Sequence, residues 1–127
     1  MSCGCNSNTV MLFPCSGAAD VGEVADQAAR AATRAGVGRM SCLAGAGARI
    51  ASFIDSAASA AAVVAIDGCP QACASRCLLA AGIEPTLIVQ LRELGLLKGS
   101  TPRSDATIAT VVGSITQGLS ALPQGVH

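Results

Sequence analysis

Three cysteines recur at one interval: Cys15, Cys42 and Cys69 are each 27 residues apart, and Cys73 follows four positions after the last of them. Four sulfurs in reach of one point are the donor set of a tetrahedral zinc site, with each thiolate about 2.3 Å from the ion. The interval is close to the length of a strand, a helix and two turns. Each of the three therefore falls at the same phase, just past the C-terminal end of a strand and before the next helix. In a parallel sheet such ends lie along one edge, the edge at which open α/β folds bind their ligands. Helix N-termini beside these positions favour the thiolate form that binds metal. Pro70 stands where a helix takes its first proline, so Cys69 and Cys73 are expected on one face of a first helical turn.

The remaining thiols read differently. Cys77 lies eight residues beyond Cys69, about 12 Å along a regular helix. That is too far to share one ion, and Cys77 is expected to be a small buried apolar residue. Cys3 and Cys5 stand in a polar arm, residues 1–8, as accessory thiols that could fold over the site, pass metal to it or hang free. An all-sulfur donor set also suits an iron–sulfur cluster, which stays open as the alternative to zinc. A third reading needs no metal: thiols at helix N-termini can serve redox or sulfur-transfer chemistry.

Several sharper chemistries lack a required residue. A Ser/His/Asp or Cys/His site needs a histidine base, and the single histidine is His127. A phosphatase loop built on Cys15 needs an arginine six positions on, where Val21 stands. "CPQACASRC" (69 to 77) resembles the C-x-x-x-C-x-x-C run of radical enzymes, but its last gap holds three residues. "GAGARI" (45 to 50) imitates a dinucleotide loop with Ile50 in the place of the third glycine. Whether the chain is an enzyme is left open by these residues.

The elements that must position the cysteines can be read in turn. "TVMLFP" (9 to 14) predicts a first strand, and residues 21–35 a helix, with Asp20 and Glu23 as a capping box and Gly36 as its stop. "VGRMSC" (37 to 42) predicts a second strand, and a helix is expected around 47–59. "AAVVAID" (61 to 67) has the continuous apolar character of a strand buried on both faces. A helix follows from Pro70 to Gly82, then a strand at 86–91, a loop with glycines, and a last helix from Ser104 with Ile108, Val111, Val112, Ile115 and Leu119 on its buried stripe. Alternation of strands and helices predicts an α/β fold: a single-domain, three-layer, Rossmann-like sandwich with a mainly parallel sheet of about four strands, over residues 9–127.

Composition narrows the partners. At 127 residues the chain has the size of one domain, and its eight basic and eight acidic residues cancel. The arginines are scattered from Arg30 to Arg103, and there is neither Trp nor Tyr, so nucleic acid is not an expected partner. The longest apolar run, 60–66, is far short of the roughly 20 residues a bilayer needs. The opening "MSCGCNSN" lacks the charged start and apolar core expected of a signal peptide, and a cytoplasmic location is expected. Seven cysteines in such a compartment point to metal ligands or reactive thiols instead of disulfides. A metal ion is the expected partner, and no protein partner can be read.

With "CSGAADVGE", "SCLAG" and "DGCPQAC" in this order, the chain resembles the DGC-domain proteins, a family of small proteins named after its Asp-Gly-Cys motif. The resemblance runs from about Val10 to Leu119. It implies a zinc site on four cysteines, which fall here on Cys15, Cys42, Cys69 and Cys73, and it implies no particular activity. Asp67 of the motif has two readings. It either accepts N–H groups of the loop that carries Cys69, or starts a helix as an acid on the positive end of the dipole. Gly68 is expected to let the backbone turn without a Cβ clash, and Gly17 and Gly45 to do likewise.

Overall fold

The computed structural model describes residues 9–123. Cys3, Cys5 and His127 lie outside them. Ten elements follow one another: β1 (Val10–Pro14), α1 (Asp20–Arg34), β2 (Arg39–Met40), α2 (Leu43–Gly47), α3 (Ala51–Ala58), β3 (Ala62–Asp67), α4 (Cys73–Ala80), β4 (Leu87–Gln90), a 3₁₀ turn (Leu91–Leu94) and α5 (Asp105–Ser120). The four strands form one parallel sheet in the order β2-β1-β3-β4.

Alternation along the two central strands builds two cores. Leu12 of β1 with Val64 and Ile66 of β3 faces α1 and α5, whereas Phe13 of β1 with Val63 and Ala65 of β3 faces α2, α3 and α4. Both strands are buried along their whole length, which explains their unbroken apolar runs. Alanine at positions 25, 28, 29 and 32 of α1 has no exposed surface, so this helix lies close on the sheet. The result is the three-layer α/β/α sandwich that the alternating pattern predicts.

Five expectations need correction. The second strand is only two residues long. The segment "LAGAG" (43 to 47), expected as a turn, is a short helix, and the helix expected around 47–59 begins only at Ala51, after Arg49 takes a left-handed backbone (φ 61°). The N-cap of α1 is Ala19, whose methyl cannot cap, and Asp20, one position later, accepts the N–H of Val21 and those of Gly99 and Thr101 instead of forming a capping box with Glu23. Helix α4 starts at Cys73 and not at Pro70, because Ala72 is left-handed (φ 56°) and interrupts the backbone between them. Cys69 and Cys73 therefore do not share a helical turn. Among the described residues, no helix is long and apolar enough to cross a membrane.

Candidate functional site

The strand order reverses at β1: β2 lies on one side of it, and β3 and β4 on the other. The chain leaves β1 toward α1 on one face of the sheet and leaves β3 toward α4 on the opposite face. Their C-terminal ends thus diverge and open a crevice at the point where such folds bind ligands. Cys15 is the first residue after β1, and it packs against both cores. Its N–H donates to the Ile66 carbonyl (3.0 Å), and its Sγ accepts the Gly68 N–H (3.3 Å), so it is fastened to β3 and to the turn that follows it.

The turn after β3 is held by a buried carboxylate. Asp67 is 1% exposed. Its Oδ1 accepts the N–H groups of Ala74 (2.9 Å) and Ser75 (3.3 Å), and its Oδ2 accepts the Ser75 hydroxyl. These are orphan donors of the first turn of α4, so Asp67 caps the helix that carries Cys73 from seven residues away. Gly68 has no room for a side chain: a Cβ would fall 2.8 Å from the Val21 carbonyl carbon and oxygen. The same tight approach is made on the α1 side by Gly22, whose Cβ would lie 2.5 Å from the Gly17 carbonyl oxygen. Gly17 itself has open space where a Cβ would be, so the close approach expected of it belongs to Gly22. Gly45 is packed against the Phe53 ring.

Of the three non-glycine residues with positive φ among the described residues, two flank the thiols: Ser16 (φ 53°) after Cys15, and Ala72 before Cys73. Such conformations cost of order 1–3 kcal/mol and persist where the surroundings impose them. At Ser16 the surroundings are visible. Its hydroxyl donates to Asp26 Oδ1 (2.8 Å), and Asp26 Oδ2 accepts Arg30 Nε (2.7 Å). Partial burial pushes the Asp26 carboxyl up, but the bonds from Arg30 and Ser16 outweigh it and hold the group below the ordinary carboxylate range.

Five cysteines are free thiols among the described residues, with Cys42 and Cys73 exposed and Cys15, Cys69 and Cys77 half-buried. Two hollows divide them. A cleft of about 910 Å³ is lined by Cys15, Cys42, Cys73 and Cys77. A pocket of about 300 Å³ is lined by Cys15, Cys69 and Cys73, with Lys98 at its edge. Cys15 and Cys73 belong to both. Cys42 is the N-cap of α2, with its Sγ accepting the Gly45 N–H (3.3 Å). Cys77, set aside on the assumption of a continuous helix from Cys69, lies one turn beyond Cys73 and faces the larger cleft. The donor chemistry of these positions fits a thiophilic ion. Among the described residues, however, no three Cys, His, Asp or Glu side chains are arranged to hold one metal ion.

Sequence reasoning missed Ser16, Asp26, Arg30, Ser75 and Lys98. Asp26 and Arg30 are readable as an i, i+4 pair on α1. No local signal joins Ser75 to Asp67 or carries Lys98 to the thiols, because both depend on the tertiary fold.

The parallel three-layer sandwich with free thiols near its strand-order reversal defines a class of small α/β proteins with cysteines at the C-terminal edge of the sheet. Within that class the chain belongs to the DGC domain family, which it matches over residues 11–115. It is 36% identical over 88 residues, 69% of this chain and 67% of the relative, to the anaerobic and virulence modulator AnvM of Pseudomonas aeruginosa. No solved structure matches the chain.

Proposed function

We propose that the crevice between β1 and β3 binds a thiophilic metal ion, zinc in the first instance, on Cys15, Cys42, Cys69 and Cys73, and that binding serves a modulating role. The observation that carries this reading is the position of Cys15. It sits at the reversal of strand order, joins both cores, is fastened to β3, and lines both thiol hollows. Cys15 and Cys73 form the common pair, with Cys69 on one side and Cys42 on the other.

The four thiols start apart, so an ion that gathers them has to move the exposed ones, Cys42 and Cys73. A zinc that merely holds a fold sits in a closed shell. A site that must rearrange in order to bind couples occupancy to shape, and such coupling is what a modulator requires. The Pseudomonas aeruginosa relative is named a modulator, which agrees with that role.

The test is elemental analysis of protein purified without added metal or chelator, with near-ultraviolet absorbance of the same sample. The expected result is about one zinc per chain without colour, lost in Cys15→Ser and Cys73→Ser. Brown protein with iron and sulfide would replace zinc by a cluster on the same cysteines. Protein that neither holds zinc nor gains stability when zinc is added would refute the metal and leave redox or sulfur-transfer chemistry of the free thiols.

A further inference from the structure

The larger cleft has a second wall that the thiols do not use. Two guanidinium groups line it, Arg30 and Arg39. Arg30 is committed to Asp26, and that carboxylate is in turn satisfied by Arg30 and Ser16. Arg39 differs: among the described residues no carboxylate lies within ion-pair distance of it, and its guanidinium makes no hydrogen bond. Three hydroxyls on the same lining, those of Ser41, Ser52 and Ser56, also have no hydrogen-bond partner among the described residues. The ring of Phe53 supplies an apolar surface beside them.

We infer that this cleft takes a small organic anion, its carboxylate or phosphate group held by Arg39 and the hydroxyls of Ser41, Ser52 and Ser56, its body lying against Phe53 and reaching toward the thiols. The volume lies within the range of small-molecule sites, roughly 300–1,000 Å³. A planar guanidinium with no internal partner presents a fork suited to two oxygens of one anion, and neutral hydroxyls beside it complete the shell without adding charge. Asp26 is the single carboxylate on the lining, and Arg30 already balances it, so Arg39 leaves the wall with an uncompensated positive charge. The lining runs from Met11 and Arg39, paired across β1 and β2, to Cys15, Ser41 and Cys42 just past the C-terminal ends of those strands, the end at which open α/β folds bind ligands. None of this needs a bound metal.

The experiment titrates the reduced protein, in chelator and at constant ionic strength, with inorganic phosphate and separately with succinate, following backbone amide shifts by NMR. The expected result is saturable movement of the Arg39, Ser41, Ser52 and Ser56 amides with one of the two anions, and which of them saturates tells phosphate from carboxylate recognition. Arg39→Ala should weaken that binding by about tenfold or more, as loss of a charged hydrogen-bond pair does. Arg39→Lys, which keeps the charge but loses the fork, should fall between. Arg92→Ala, exposed and outside the cleft, should bind like the parent and controls for general charge. Shifts that grow linearly with both anions, or equal affinity in the parent and in folded Arg39→Lys, overturn the inference. Because metal is chelated throughout, failure here leaves the zinc reading untouched, and an absence of zinc in the purified protein leaves this one untouched.

Discussion

The two halves of the cysteine rim are built differently. After β1 and β3 the backbone is over-determined: Asp67 caps α4 from within the core, Gly68 and Gly22 let the two loops approach to contact distance, and Cys15 is bonded to β3 by its N–H and to the turn that follows it by its sulfur. After β2 there is only a two-residue strand, an exposed Cys42 and a five-residue helix that its sulfur caps locally. One half is a rigid frame and the other a short arm. The difference teaches that the thiols are not equally held: the Cys15 sulfur is bonded into the frame, whereas Cys42 is exposed on the short arm.

The largest expected effect comes from breaking the frame at its buried charge. Asp67→Ala strands two backbone N–H groups and the Ser75 hydroxyl, and urea unfolding should show a loss of about 3 kcal/mol. A loss no greater than that of an ordinary surface change would mean that α4 is held by packing alone. Next, Gly68→Ala must push apart two backbones and should cost about 2 kcal/mol. Gly17→Ala, one loop away with open space at its Cβ, should stay within about 0.5 kcal/mol of the parent. Equal effects in this pair would erase the distinction between frame and open rim. The smallest effect belongs to the arm. Serine is itself a good N-cap, so Cys42→Ser should leave stability within about 0.5 kcal/mol. In hydrogen exchange the amides of α2 should exchange faster than those of α4. Protection of α2 matching that of α4 would show the arm to be as fixed as the frame.

What could be read in advance divides along the same line. β1 and β3 were legible because burial on both faces demands continuous apolar runs, and α1 and α5 because their buried stripes repeat at helical spacing. The phase of Cys15, Cys42 and Cys69 was legible because it follows from the period of the fold itself. The start of α4 was misplaced because proline at 70 is a local signal. The deciding influences are a left-handed alanine at 72 and a carboxylate arriving from the end of β3. Because α4 starts only at Cys73, the distance along a helix from Cys69 does not bear on Cys77, which lines the larger cleft with Cys73. A bond over distance, as between Asp20 and the Gly99 N–H, leaves no periodic trace in a single chain.

Lys98 reaches the smaller thiol pocket on a loop tied down by Asp20. The Asp20 carboxylate accepts the N–H groups of Gly99 (3.0 Å) and Thr101 (2.9 Å), 79 and 81 positions downstream. These bonds, Gly99 first, hold the Asp20 carboxyl below its ordinary range. Every cysteine of the rim precedes Lys98 in the chain. A polypeptide growing from its N-terminus therefore exposes all its thiols before the residue that finishes their smaller pocket exists. The smaller pocket therefore gains its last lining residue, and the bonds that hold that loop, only in a chain translated past Thr101.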